Sequence, residues 1–239
     1  MTHVRIVIMT IRPKSDWRCQ TMIELQAFTL SHKRSDQISI LRNRKNGLEI
    51  LCKKTDLKKG FDEIAIYQKL NGLPCNSIPK LYDYEVVQTS VMLYMTYIGG
   101  HTLDEIAKQP VLKEGFVSRV DQIFENAINV IRSIHNAGIL HRDIKPENII
   151  IDRDYRFFLI DFSVATLKSK VMHTVGTSVY LAPEAVFRPS EVDEASDYYS
   201  LAMSFLRILD EDLTSVSQDV LERILQMCAV QKKNRKIYD

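Results

Sequence analysis

The sequence predicts an α+β fold in two parts, a small antiparallel β lobe with one helix followed by a larger, mainly helical lobe. Three observations predict it. Five short apolar-rich segments, interrupted once by a helical pattern, occupy residues 20–98. An amphipathic helix pattern follows at residues 117–137. Beyond it, short apolar segments alternate with charged residues until a further helical segment at residues 196–209.

The strand predictions rest on apolar-rich segments bounded by turn residues. In chain order they read "TMIELQAFTL", "DQISILRN", "LEILCKK" after the turn "RKNG", "LYDYEVV" and "VMLYMTYI". One helix is predicted between the third and fourth strands, from Phe61 to Leu70, because apolar residues recur there at helical spacing and "NGLP" supplies a stop.

The helix predicted at residues 117–137 has a clear apolar face. It leads directly into the segment with the densest chemistry. The residues on its apolar face are Val120, Ile123, Phe124, Ala127, Ile128, Ile131 and Ile134.

The composition and net charge argue against several classes of function. The 239 residues are 45% hydrophobic and 26% charged, as in an ordinary globular protein, and the formal net charge of +2 is too small to indicate a nucleic-acid or membrane partner. The start, "MTHVRIVIMTIRP", is interrupted by Arg5 and lacks a cleavage site, so we expect a protein that is neither secreted nor embedded in a membrane. The four cysteines show no C-x-x-C spacing, which favours a cytoplasmic or nuclear location.

The segment "HRDIKPEN" concentrates charged and amide side chains that suit phosphoryl transfer. It holds Asp143, Lys145 and Asn148, and "IDFS" follows with Asp161. Phosphoryl transfer needs a carboxylate to accept the proton of the attacking hydroxyl, oxygen ligands for a magnesium ion and a lysine to balance phosphate charge. These residues supply each part.

These segments resemble the H-R-D-x-x-x-x-N and D-F-G motifs of the eukaryotic serine/threonine protein kinase family, and the resemblance covers nearly the whole chain. It implies a two-lobed protein-kinase-like fold that uses ATP with Mg²⁺ or Mn²⁺ to phosphorylate a protein substrate. Asp143 is then the catalytic base, Asn148 and Asp161 the metal ligands, and Lys145 the contact to the transferred phosphate. "GT" resembles the loop that receives the substrate hydroxyl, where Thr177 is expected to contact Asp143 and Lys145.

Two structural features are implied by the same resemblance. "YLAPE" resembles the end of an activation segment, whose Glu184 is expected to form a buried ion pair with Arg235 in "QKKNRKI". Asp197 in "SDYYS" resembles the residue that holds the backbone of the catalytic loop.

In the small lobe the family pairs a lysine of the third strand with a glutamate of the following helix. Glu63 is the candidate glutamate, and Lys53 and Lys54 are alternative candidates for the lysine that binds ATP. Lys53 places Leu51 over adenine, whereas Lys54 places Cys52 there, and we favour Lys53.

The segment "YMTYIGG" resembles the hinge that carries adenine. Met95 is then the gatekeeper, and the backbone of Thr96, Tyr97 and Ile98 is the adenine contact. A methionine among aromatic residues is also typical of a core, and Met95 fits both interpretations.

The sequence departs from the family in its first hairpin, "LQAFTLSHKRSDQISI", which has no glycine where the family has G-x-G-x-x-G. Glycines let backbone N–H groups approach the phosphates closely. Two alternatives remain for Lys33 and Arg34: they supply positive charge to the phosphates, or they belong to a solvated turn. The D-F-G glycine is replaced by Ser163.

The large lobe is expected to be trimmed, since only a short segment separates the helix at 196–209 from "LERILQMCAV". Such trimming resembles small virus-encoded kinases that lack some C-terminal helices. We expect an N-terminal extension or first strand at 1–20, a small ATP-binding lobe at 21–98 and a large catalytic lobe at 99–239. The second hypothesis is a pseudokinase, a binding module that engages a host or partner kinase or is supported by an activating protein.

Overall fold

A computed structural model describes residues 25–170, 176, 179–210 and 213–235. The chain divides into two compact units; of the described residues, the first contains 25–65 and 80–97, and the second contains 66–79 and those from 98 onward. The lobe boundaries given above stay a prediction, and the extension at 1–20 lies outside the described residues.

The first unit is built on a five-stranded antiparallel sheet in the order β1-β2-β3-β5-β4. This confirms the predicted small antiparallel sheet. A helix, α1 (Leu57–Leu70), follows the third strand and begins earlier than predicted, because the Asp56 carboxylate accepts the Lys59 N–H at 2.9 Å and caps its first turn. The strands are β1 (Phe28–Lys33), β2 (Ile38–Asn43), β3 (Glu49–Asp56), β4 (Leu81–Val87) and β5 (Ser90–Thr96).

Successive side chains of β3 point to opposite faces of the sheet. Ile50 and Cys52 are buried against Tyr94 of β5, and Lys53 points to the opposite side. The start of α1 lies very close to β5, since a Cβ atom on Gly60 would stand 2.7 Å from the Cβ of Val91. Only glycine permits this approach.

The second unit is mainly helical, with two small sheets ordered β6-β8-β9 and β10-β7. Its helices are α2 (Leu103–Ala107), α3 (Pro110–Val117), α4 (Val120–Asn136), α5 (Pro183–Phe187), α6 (Glu194–Leu209) and α7 (Gln218–Met227). Its strands are β6 (His101–Thr102), β7 (Ile139–Leu140), β8 (Ile149–Ile151), β9 (Phe157–Leu159) and β10 (Thr166–Leu167). No helix in the described ranges has both the length and the apolar character to cross a membrane.

The core of the second unit forms where α4 packs on α6. All seven residues of the predicted apolar face of α4 are buried, which confirms that prediction. Phe205 of α6 receives the rings of Phe124 and Phe116, with centroids 5.5 Å and 5.8 Å away. Between α6 and α7 the described residues contain one 3-10 turn, Leu213–Ser215.

An ion pair between Glu184 and Arg235 fixes the end of the second unit to α5. The Arg235 guanidinium donates to both carboxylate oxygens, at 2.5 and 2.9 Å, and both residues are buried. Ser196 also donates to Glu184, and Arg235 stacks over the Tyr199 ring at 4.7 Å. The predicted pair is therefore confirmed.

Removing the arginine leaves a buried carboxylate without its charge partner. We expect Arg235→Ala to lower the free energy of unfolding by about 3 to 5 kcal/mol. Urea denaturation followed by circular dichroism measures it. Arg188→Ala is the matched control, because Arg188 pairs with Glu191 on the surface, where such pairs contribute about 0 to 1 kcal/mol. Equal losses in the two variants would contradict the buried-pair interpretation.

Stability should also depend on pH through Glu184. Burial alone would raise the pKa of Glu184, but the hydrogen bonds from Arg235 and Ser196 hold it below its ordinary value. A lowered pKa means that the folded state binds fewer protons than the unfolded state, so this contribution is present at neutral pH and is lost as pH falls through the lowered pKa.

The acid limb of the stability curve tests this dependence. Glu184→Gln should make the fall in unfolding free energy below about pH 4.5 shallower than in the wild type. The control Glu114→Gln changes an exposed carboxyl and should leave the slope unchanged. Parallel acid limbs for wild type and Glu184→Gln would refute the assignment.

Candidate active site

In the first unit the structure pairs Lys53 with Glu63. The Nζ atom lies 2.8 Å from Oε1 and 3.0 Å from Oε2, and Glu63 is only 1% exposed. Successive strand residues point to opposite faces, so Lys54 lies on the other side of β3, where it is exposed. The geometry thus separates the two candidate lysines, and a role in ATP binding stays a prediction for Lys53.

The residues predicted for the hinge lie at the end of β5. Met95 is buried at 4% exposure and stands opposite Leu51 of β3 in the sheet register. The Thr96 amide donates to the Lys80 carbonyl oxygen at 2.9 Å, which closes β5 against the chain before β4. Tyr97 is the last residue of the first unit, Ile98 belongs to the second, and both are partly buried.

In the second unit two predicted catalytic residues, Lys145 and Asn148, both contact a third, Asp143. The Lys145 Nζ atom lies 2.9 Å from Asp143 Oδ2. Asn148 Nδ2 donates to the same oxygen at 3.1 Å and to the Asp143 carbonyl at 2.9 Å. The amide nitrogen of Asn148 is thereby directed to Asp143, and its amide oxygen is the atom that suits a hard cation.

Asp161 stands just after β9 and is linked to the same loop. The Ile160 amide donates to the Asn148 carbonyl at 2.9 Å, which ties the two segments together. Asp161 has a φ of 63° and Arg142 a φ of 70°. Non-glycine residues in this region carry backbone strain, which concentrates at functional sites. The residue before Asp143 and Asp161 itself therefore both adopt this conformation.

The backbone of the catalytic loop is held by Asp197 of α6. Its Oδ1 accepts the Arg142 amide at 2.8 Å, and its Oδ2 accepts the His141 amide at 2.9 Å and His135 Nε2 at 2.9 Å. Burial alone would raise the pKa of Asp197, but these hydrogen bonds and the nearby histidines lower it, so the carboxylate is charged. The predicted anchor is confirmed.

The ring of His141 joins the two carboxylate-bearing segments, a role that sequence reasoning missed. Its Nδ1 accepts the Asp143 amide at 3.3 Å, and its Nε2 donates to the Ile160 carbonyl at 3.1 Å. These partners select the neutral tautomer with the proton on Nε2, and burial lowers the pKa of the ring in agreement. Phe162 packs edge-on against it, with centroids 4.7 Å apart.

Gly176 lies against the catalytic loop. It has a φ of 104°, and a Cβ atom at this position would stand 2.4 Å from the Arg142 carbonyl oxygen. Glycine is therefore required at this contact. Thr177, predicted to meet Asp143 and Lys145, lies outside the described residues.

Comparison with known proteins identifies related sequences. The protein kinase domain model matches residues 29–237. The chain is 33% identical over 152 residues to a probable cAMP-dependent protein kinase catalytic subunit of Encephalitozoon cuniculi, covering 63% of this chain and 46% of that protein. It is 33% identical over 157 residues to the Arabidopsis thaliana serine/threonine-protein kinase PEPKR2, covering 62% and 32%.

A bacterial relative shows similar identity. The serine/threonine-protein kinase D of Synechocystis is 33% identical over 171 residues, covering 66% of this chain and 32% of that protein. The chain spans less than half the length of each of these three relatives. Since the domain model matches most of its residues, the chain belongs to the protein kinase domain family.

Proposed function

We propose that the chain is an ATP-dependent serine/threonine protein kinase that transfers the γ-phosphate of ATP to hydroxyl groups of a protein substrate. One observation carries the proposal. Asp143 Oδ2 lies 2.9 Å from Lys145 Nζ and 3.1 Å from Asn148 Nδ2, on a backbone anchored by Asp197. A carboxylate held in this way has a fixed direction.

The proposed chemistry assigns one task to each side chain. Asp143 accepts the proton of the attacking hydroxyl, and the neighbouring Lys145 offers its positive charge to the phosphate that moves. Asn148 and Asp161 would hold Mg²⁺ or Mn²⁺, a cation that neutralises phosphate charge when bound. Their amide and carboxylate oxygens are the hard ligands that such ions prefer.

The composition of the candidate metal site fits a cation that is shared with a nucleotide. Magnesium is commonly bound through one or two carboxylates together with substrate phosphates. One carboxylate, that of Asp161, and one amide oxygen, that of Asn148, match this kind of shared site.

In the first unit Lys53 is proposed to contact the nucleotide phosphates. Its buried partner Glu63 fixes the ammonium group by two close contacts, which limits the rotamers that the long side chain explores. A preorganised positive charge stabilises phosphate more effectively than a freely moving one.

The assignment of serine/threonine specificity rests on Lys145 and on the names of the relatives. A lysine at this position of the catalytic loop resembles serine/threonine rather than tyrosine kinases. The "APE" segment, with its buried Glu184, argues against kinases of small molecules that share the two-lobed fold.

A second candidate is a kinase-like binding module that engages a partner kinase. The observation that favours it is the first hairpin, in which the Ser35 side chain accepts the amides of Gln37 and Ile38 at 3.2 and 3.1 Å. Amides that donate within the turn are not offered to phosphate. A module of this kind would bind its partner equally well as wild type and as Asp161→Ala, with no transfer by either.

The role of Asp143 is tested by transfer of the ATP γ-phosphate to the protein itself and to generic basic proteins, with Mg²⁺ or Mn²⁺. Asp143→Asn should lower the rate by about 10² to 10⁴, the usual contribution of a general base. Asp154→Asn is the control, because Asp154 is an exposed turn residue. An Asp143→Asn protein as fast as wild type would falsify the mechanism, and a folded wild type without transfer would favour the binding module.

The adjacent lysines form a matched pair for a second test. Lys53→Ala should lower the transfer rate about a hundredfold because a preorganised charge is lost, whereas Lys54→Ala should stay near wild type. Thermal unfolding by circular dichroism checks that both variants are folded at the assay temperature. Equal losses in both, or a larger loss in Lys54→Ala, would reject the assignment of Lys53.

A further inference from the structure

The turn between β1 and β2 is closed by its own hydrogen bonds. The amides of Arg34 and Ser35 both donate to the Ile38 carbonyl, at 2.9 and 3.2 Å. The Ser35 hydroxyl accepts the amides of Gln37 and Ile38. Four amides in and beside the turn are therefore committed internally. In this conformation the turn cannot surround phosphate with backbone N–H groups as a glycine-rich loop does.

A long-range contact fixes the tip of this turn. Arg34 Nη2 donates to the Tyr97 hydroxyl at 3.2 Å, across 63 positions of sequence. The guanidinium carbon of Arg34 stands 5.6 Å from the centroid of the Tyr97 ring, within the range of a cation–π interaction. Both residues belong to the first unit, and Tyr97 lies directly after β5.

The sheet register shows what this contact spans. Ile38, where the turn meets β2, stands opposite Lys53 of β3. Thr96, next to Tyr97, stands opposite Ile50 of β3. Ile50 and Lys53 are three positions apart along β3, so these two levels are separated by roughly 10 Å. The contact therefore joins the level of the proposed phosphate lysine to the segment proposed to contact adenine.

We propose that Arg34 is a positioning residue for nucleotide binding, a role that rests on the proposed kinase function. Its contact with Tyr97 holds the β1–β2 turn against the nucleotide-binding face of the first unit. This contact takes the place of the amide contacts that the turn does not offer. Arg34 then acts through Tyr97 and the turn and not as a direct phosphate ligand.

The proposal separates the two alternatives that the sequence leaves open for Arg34. A direct phosphate ligand would lose its effect only when the arginine is removed, and Tyr97 would be irrelevant. A solvated turn residue would affect nothing. A positioning contact makes Arg34 and Tyr97 depend on each other, so that removing either partner has the same consequence as removing both.

The test measures the affinity of the full chain for ATP with Mg²⁺ by isothermal titration calorimetry. We expect Arg34→Ala to weaken binding about fivefold, which equals about 1 kcal/mol. Tyr97→Phe keeps the ring and loses the hydroxyl acceptor, so it should weaken binding about two- to threefold. The double variant should be no weaker than Arg34→Ala, and Arg34→Lys should recover part of the affinity by donating to the hydroxyl.

The control is Arg44→Ala, an exposed arginine of the turn at the other end of β2, which removes the same charge. It should leave the affinity within about twofold of wild type. At saturating ATP the transfer rate of Arg34→Ala should also stay within about twofold of wild type, because Arg34 positions the nucleotide and does not touch the reacting atoms.

The outcomes are distinguishable. If the wild type binds ATP and every Arg34 and Tyr97 variant binds ATP as tightly as the wild type, the positioning role is wrong. The kinase proposal is unaffected by that result. Additive effects of Arg34→Ala and Tyr97→Phe overturn the positioning role as well, as does an equal loss in Arg44→Ala. A folded wild type that binds no ATP overturns both proposals.

Discussion

The candidate active site depends on the hydrogen bonds that the buried carboxylate of Asp197 accepts. This carboxylate accepts two successive backbone amides, those of His141 and Arg142, and the ring of His135. A charge placed in the interior is stable only when it is fully hydrogen-bonded, and these donors supply that condition. In return the carboxylate holds Arg142 at a strained φ of 70°. Asp143 is the next residue, so the anchored backbone leads directly into the proposed catalytic carboxylate.

From this anchor a chain of contacts reaches the second carboxylate. The His141 ring accepts the Asp143 amide on one side and donates to the Ile160 carbonyl on the other. Asp161 is the residue after Ile160, so one neutral imidazole links the segment proposed to supply the base with the segment proposed to supply a metal ligand. Protonation of this ring would require a second proton on Nδ1, and the Asp143 N–H already occupies that position. Burial and hydrogen bonding thus keep the ring in the single state that supports both segments.

Part of this arrangement could be predicted from local patterns, and part only from the resemblance to a known family. The apolar face of α4 and the strands of the first sheet follow from periodicity and turn residues. The Asp197 anchor and the Glu184–Arg235 pair join residues more than 50 positions apart and were implied by motifs of the protein kinase family. Lys53 and Lys54 could not be separated in this way, since neighbouring residues in a strand differ only in the face on which they lie. The position of α1 decides between them. The short helix α3 and the His141 ring contacts were missed, and the Arg34–Tyr97 contact joins an exposed residue to a partly buried one that no sequence pattern connects with it.

The lack of glycines in the first hairpin changes the β1–β2 turn and leaves the other contacts of the candidate site unchanged. The Lys53–Glu63 pair depends on β3 and α1, and the Asp143 and Asp161 segments depend on Asp197 and His141; none of these contacts involves the first turn. A turn that satisfies its own amides gains order and loses the ability to bind phosphate through its backbone. Any contribution of the turn to nucleotide binding would then come from side chains, as proposed for Arg34 and its contact with Tyr97. Under that proposal the departure from the family affects how tightly the nucleotide is held, and it leaves the contacts around Asp143 and Asp161 unchanged.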